Sequence, residues 1–179
     1  ERLLEGLGLD SGCKGVATPG LKPLPAQIET EEELGPDDQS NFRALSTRAN
    51  YVSSDRVDLQ FSSKECCRFM SKPGTLAQGA LKRLGRYVLD HKRLVYKFPW
   101  QSATHIEVYS DTDWAGCPRT RKSTSGGAVM LGSHTIRTYS STQTLVSLSS
   151  GEAEYYGLVK GAAAGLGHQA IMSDYGVDL

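Results

Sequence analysis

The sequence predicts a mixed α/β chain of the α+β kind, a helical stretch followed by three antiparallel strands and one long helix. Three observations carry this. Ala77, Leu81, Leu84 and Val88 recur at helical spacing. At about 100° per residue they fall within about 60° of one another, opposite Lys82, Arg83 and Arg86. The run His105-Ile106-Glu107-Val108-Tyr109-Ser110 alternates apolar and polar residues, the period of a half-buried strand. Finally, Gly132-Ser133 separates two strand-like runs, and Ser149 with Glu152 three residues later makes a capping box before a long helical segment.

The chain has 179 residues. Residues 1–40 carry Pro19, Pro23, Pro25, Pro36 and the acidic run Glu29, Glu31, Glu32, Glu33 without periodic apolar residues. That composition predicts an acidic linker or disordered arm. Residues 41–100 read as a helical, basic segment. A first helix is capped by Ser40 or Asn41 and runs toward Val52. A second covers about Leu59 to Met70 and stops before Lys72-Pro73-Gly74. A third covers Thr75 to Asp90, with Thr75 as a candidate N-cap. Residues 101–179 hold the strand at 105–110, strands at Gly126–Leu131 and Thr135–Ser141, and the helix from Ser149 to about Asp174 with Gly176 as its stop.

Charge follows the same division. The formal total is zero, yet residues 1–42 sum to −6, residues 43–100 to +8 and residues 101–179 to −2. A neutral total therefore does not exclude a nucleic-acid partner. The basic helix face, followed by Lys92, Arg93 and Lys97, reads either as ordinary solvated surface or as a phosphate-binding face built on Lys82, Arg83 and Arg86. No run of 18 or more apolar residues is present, so no membrane span is expected. Glu1-Arg2-Leu3-Leu4-Glu5 lacks the pattern of a secretory signal. Cys13, Cys66, Cys67, Cys117 and the four histidines show no zinc-ligand spacing, which leaves free thiols in a reducing compartment as the expectation.

The carboxylates are the candidates for chemistry. Asp111 stands where the first strand is predicted to end, Asp113 follows two residues later, and Glu152 and Glu154 lie in the first turns of the long helix. Carboxylates from a strand end and a helix start can converge when the helix packs on the sheet. Mg²⁺ is the usual hard cation that neutralises such a cluster, and two such ions can drive phosphodiester hydrolysis. Acids are also favoured at these positions by turn chemistry and the helix dipole, so the pattern alone is weak.

Longer motifs sharpen it. Tyr109-Ser110-Asp111-Thr112-Asp113-Trp114-Ala115-Gly116-Cys117, Arg121-Lys122-Ser123-Thr124-Ser125-Gly126 and Ser149-Ser150-Gly151-Glu152-Ala153-Glu154-Tyr155 stand in that order. Together they resemble the ribonuclease H domains of copia-type LTR retrotransposon Pol polyproteins. Asn50-Tyr51-Val52, Asp55–Leu59, Arg68–Pro73 and Leu81–Tyr87 resemble the segment that joins the polymerase to that domain. The resemblance covers roughly residues 41–178. It implies a ribonuclease H-like fold, incomplete here: three antiparallel strands plus the first helix, preceded by a helical connection. The implied parent activity is Mg²⁺-dependent cleavage of RNA in RNA–DNA hybrids, inside a reverse transcriptase polyprotein that works intracellularly. The implied partners are the hybrid and the rest of the polyprotein. By motif position Asp111 and Glu154 match the family's metal-binding acids. Glu152 is then mainly the capping partner, and Asp113 is left without an assigned role.

The departures matter equally. The family's third and fourth acids, and the strand that pairs on the other side of the first one, have no counterpart before Leu179. The 179 residues are accordingly expected to be inactive on their own, with a non-enzymatic nucleic-acid-binding remnant as the alternative. An integrase-like transposase lacks support, since no zinc-binding His/Cys arm is visible. Relatives often carry lysines near Ser141-Thr142, and this chain has none there. Gly157, Gly161, Gly165 and Gly167 interrupt the long helix, each costing about 1 kcal/mol relative to Ala. Close packing on the sheet and sequence decay both remain open as explanations.

Overall fold

The computed structural model describes residues 2–179; Glu1, at the tip of the predicted acidic arm, lies outside them. The chain divides into two units, one reaching to Leu94 and one running from Val95 to Leu179. This boundary falls earlier than the one expected after residue 100.

The first unit is helical. It holds α1 (Arg2–Gly6), α2 (Pro25–Glu29), α3 (Pro36–Val52), α4 (Val57–Cys67) and α5 (Thr75–Asp90). Helix α5 has the predicted bounds, and Ala77, Leu81 and Leu84 of its apolar stripe are buried. They pack with Phe42, Leu45 and Ala49 of α3 and Leu59 and Cys66 of α4. The bounds of α3 and α4 differ from expectation, α4 running Val57–Cys67 rather than about Leu59 to Met70, and α5 differs in its cap. Helix α3 begins at Pro36 rather than near Asn41, because Pro is pre-organised for the first helical position and Asp37 and Asp38 suit the positive helix end. The N-cap of α5 is Gly74, and Thr75 is already helical.

The arm departs furthest from its sequence reading. Leu3 and Leu34 are buried in the same core, and Leu7 packs against it. Leu34 N donates to Pro73 O at 3.1 Å and Thr75 N to Glu32 O at 2.9 Å, so the chain before α3 is stitched to the turn before α5. Isolated leucines in a Pro-rich acidic stretch have no period to reveal this. Burial pushes the Cys66 thiol up to about 12, with Cys67 and Glu65 adding to the effect, so it behaves as a small apolar side chain.

Arg56 locks two of these helices together. It sits at the N-cap of α4, its side chain only 11% exposed. It grips Asp58 with Nε and Nη2 at 2.9 and 2.7 Å. The same guanidinium donates to His91 O at 2.8 Å and Lys92 O at 3.4 Å, just past the C-terminal end of α5.

The second unit is an antiparallel meander with a helix on one face: β1 (Ile106–Asp113), β2 (Thr124–Leu131), β3 (His134–Thr142) and α6 (Ser150–Asp174). The strand order is β1-β2-β3, so β1 is at an edge of the sheet. The two-residue turn is the predicted Gly132-Ser133, with Gly132 at φ 54, a conformation that suits glycine. Ser149 Oγ accepts from Glu152 N at 3.1 Å, as the capping box requires. Glu152 Oε2 in turn accepts from Leu148 N at 2.7 Å, one residue before the cap itself. At the other end Gly176 N donates to Ser173 O and Val177 N to Met172 O, a Schellman closure around a Gly176 at φ 76.

Packing explains three of the four helix glycines. A Cβ on Gly157 would lie 2.6 Å from Thr112 Oγ1, one on Gly161 3.3 Å from Val108 Cγ1, and one on Gly165 2.9 Å from Val108 Cγ2. The helix backbone therefore rests directly on β1. Gly167 has open space around it. Gly167→Ala is expected to stabilise the second unit by about 1 kcal/mol through helix propensity alone, measurable as a shift of the urea midpoint with unchanged slope.

Candidate nucleic-acid and carboxylate sites

Strand β1 sorts its residues by alternation. Ile106, Val108, Ser110 and Thr112 are half-buried, while Glu107, Tyr109, Asp111 and Asp113 are exposed. The first set faces α6. Asp111 is therefore inside β1 rather than at its end, on the face away from the helix. Its cross-strand partner is Gly126, which offers no side chain beside the carboxylate. Asp113 folds back over the turn that follows: a Cβ on Gly116 would meet Asp113 Oδ2, so Gly116 is needed for that close approach.

Glu154 comes from the second turn of α6. With Glu154 at 0°, Gly161 and Gly165 lie within about 20° at 100° per residue, so all three share the stripe facing β1. Along that stripe Gly165 meets Val108, Gly161 meets Val108 and Ser110, and Gly157 meets Thr112. Continuing the series places Glu154 at the Asp111–Asp113 end of β1. The two predicted acids thus reach the same end of β1 from opposite sides, Glu154 on the helix side and Asp111 on the face away from it. Among the described residues no group of three or more His, Cys, Asp or Glu converges to hold a metal ion. A two-metal site needs more than two carboxylates, so the donor set present fits that site only in part.

What joins α6 to this end of the sheet is a polar network that motif reading missed. Gln143 Nε2 donates to Ala153 O at 2.9 Å and to Ser125 Oγ at 3.0 Å, and Gln143 Oε1 accepts from Ser147 Oγ at 3.0 Å. Trp114 Nε1 donates to Ser147 O at 3.1 Å and Ala115 N to Ser123 Oγ at 3.0 Å. Ser123, Ser125 and Ser147 are buried. The three sequence motifs meet here. The signal was the density of Ser and Thr in runs otherwise read as strands. A lysine also reaches the place where none was expected from the local sequence. Lys160 of α6 extends to Ser141 Oγ and lies 5.0 Å over the Tyr139 ring. Its ammonium is held below the usual lysine range, by burial first and the Arg137 charge second.

The predicted phosphate-binding bases belong to the first unit. Lys82 is exposed. Arg83 and Arg86 are not free, because the arm covers them. Arg86 Nε donates to Lys14 O at 2.6 Å and Arg83 Nη2 to Thr18 Oγ1 at 2.8 Å. The helix face is basic as expected, yet two of its three cations already hold the chain's own backbone and hydroxyl groups.

Together the two units define a class: a basic helical segment followed by an α+β meander that sets two carboxylates at one strand end. Curated relatives give that class its family. The chain is 32% identical over 166 residues to an uncharacterised mitochondrial protein of Arabidopsis thaliana, covering 91% of this chain and 66% of that protein. It is 32% and 31% identical to the retrovirus-related Pol polyproteins from transposons RE2 and RE1 of the same plant, each match covering 80% of this chain and 10% of the polyprotein. The chain belongs to the copia-type retrotransposon Pol polyproteins, and spans about a tenth of the length of the two it matches here. No family model matches it. No solved structure matches it either. Among the described residues no helix is long and apolar enough to cross a membrane.

Proposed function

We propose that the second unit is the first-strand-to-first-helix part of a ribonuclease H-like domain, and that the first unit belongs to the connection preceding it in the polyprotein. The parent activity is cleavage of RNA within an RNA–DNA hybrid. The observation that carries this reading is the β1-β2-β3-α6 order, with Asp111 in β1 and Glu154 on the α6 stripe that reaches the same strand end. Mg²⁺ is the cofactor the reading implies, since hard cations take carboxylate oxygens. Asp111 and Glu154 are the two candidate ligands; they approach one end of β1 from opposite sides, and further carboxylates would have to join them, so hydrolysis is not assigned to this stretch alone.

What the 179 residues do by themselves is bind. The +8 charge of residues 43–100 supports phosphate contact, with Lys82 as one of its exposed helical cations. We expect the chain to retain an RNA–DNA hybrid on filters at low salt, with a negative slope of log K against log salt. Lys82→Gln should reduce that slope by about 0.9. Arg86→Gln should reduce it by less, because its guanidinium is spent on Lys14 O. A flat slope would sink the binding reading. Hybrid cleavage in Mg²⁺ that disappears in Asp111→Asn would show instead that this stretch is catalytically sufficient.

A further inference from the structure

The segment between α5 and β1 is neither helix nor strand, and residues 91–100 are exposed throughout. It reads Lys92-Arg93-Leu94-Val95-Tyr96-Lys97-Phe98-Pro99-Trp100 in cation-rich, aromatic-rich sequence. Trp100 is 96% exposed and Phe98 61%. Large apolar side chains held in water in one contiguous patch mark an interaction surface. Tyr96, Phe98 and Trp100 are two residues apart, the spacing at which extended chain puts side chains on one side.

Tyr96 and Phe98 are held in place. Tyr96 and Phe98 are 6.2 Å apart, centroid to centroid, with planes 21° from parallel. Phe98 packs edge-on against His134 at 5.1 Å and 83°. His134 Nε2 lies 2.8 Å from Pro99 O; a carbonyl can only accept, so this nitrogen carries the hydrogen. Gln101 ties the segment to the β2–β3 turn, donating to Leu131 O at 2.7 Å and accepting from Ser133 N at 2.8 Å. Beside the rings lies a recess of about 500 Å³ lined by Phe98, Trp100, Leu131, His134 and Met172 among others.

We propose that Tyr96, Phe98 and Trp100, with Lys97 between them, form a stacking platform for single-stranded nucleic acid. The proposal rests on the nucleic-acid reading above and deepens it by naming a site and a strand state. Aromatic rings take bases by their π-faces, which are open in a single strand and covered by neighbours in a duplex. Lys97, which stands between the rings, matches the phosphates that accompany the bases. A purely apolar protein partner would leave this charge without a counterpart. The recess beside Trp100 gives a base at the end of the stack somewhere to sit.

The test uses the full chain and a fluorescein-labelled oligothymidylate of about 12 nucleotides, within the usual site size of such binders. Anisotropy titrations across a salt series compare the parent with Trp100→Ala, Phe98→Ala, Trp100→Phe and Lys97→Gln. Trp100→Ala and Phe98→Ala should each weaken binding roughly five- to hundredfold with the salt slope unchanged, since they remove stacking and not phosphate contact. Trp100→Phe should keep most of the affinity. Lys97→Gln should flatten the slope by about 0.7. Trp100 is so exposed that its loss should not endanger the fold, which circular dichroism of the variant checks. Equal affinity of Trp100→Ala, Phe98→Ala and parent overturns the platform. If the hybrid still binds while the oligothymidylate does not, the platform is wrong and the nucleic-acid reading stands. If neither binds at low salt, both fall. Trp100-dependent self-association in sedimentation without oligonucleotide binding would assign the patch to protein docking and overturn the proposal.

Discussion

Arg56→Ala should destabilise the first unit by about 3 kcal/mol, the range for removing one partner of a largely buried ion pair. The loss has two parts. Asp58 is left in its pocket without the bidentate guanidinium, and the carbonyls of His91 and Lys92 lose their donor. A cation at a helix C-terminus also answers the negative end of α5. Urea unfolding followed by circular dichroism measures the change, and a loss below about 1 kcal/mol would show that the pair is solvent-screened rather than structural. The pH dependence has a fixed sign. The Arg56 hydrogen bonds hold the Asp58 carboxyl below the usual range, against the opposing effect of burial. A depressed carboxylate contributes stability that is fully present above its unfolded value of about 3.9 and is lost as pH falls through the lower folded value. The gap between parent and Arg56→Ala should therefore be constant at neutral pH and shrink as pH falls below about 4.

Arg56 also shows where sequence reading stops. Asp55-Arg56-Val57-Asp58 was legible as part of a family-like stretch, but nothing in it says that the guanidinium spans to the end of a helix more than thirty residues on. What was legible had local causes. The α5 stripe is periodic, the β2–β3 turn needs a left-handed glycine, and the α6 cap is a four-residue pattern. The ends of β1 and β2 were not legible because Asp111, Thr112, Asp113, Thr124 and Ser125 are polar and extend the strands by ladder bonds rather than by apolar alternation. The packing of Leu3 and Leu34, and the arm's hold on Arg83 and Arg86, come from long-range contacts that composition cannot register. Asp111 was expected where the strand ends and lies inside it, on the face away from α6, because the polar residues after it continue the ladder. Gln143 and Trp114, which fix that end, were not singled out, because a lone Gln or Trp carries no spacing to read.

Gly157→Val should be the most damaging single change in the second unit, costing about 2–3 kcal/mol, at the upper end for overpacking a fitted interface. Even a methyl at this position would sit 2.6 Å from Thr112 Oγ1, so α6 must lift from β1 or Thr112 must turn away. Either movement strains the bond from Thr112 Oγ1 to Ala153 O and the adjoining Gln143 bridge to the same carbonyl. Ala153 precedes Glu154, so the displacement is transmitted to the carboxylate itself. A double-mutant cycle isolates the cause. If the clash with Thr112 dominates, Gly157→Ala should be costly alone and nearly harmless in a Thr112→Ala background, giving a coupling well above the ~0.5 kcal/mol expected of independent sites. Additive effects would mean that the glycine is tolerated rather than required, as decay of the helix would predict. Coupling would mean that β1 and α6 are matched to each other residue by residue, and that Glu154 is brought to the Asp111 end of the strand by the absence of three side chains rather than by any bond of its own.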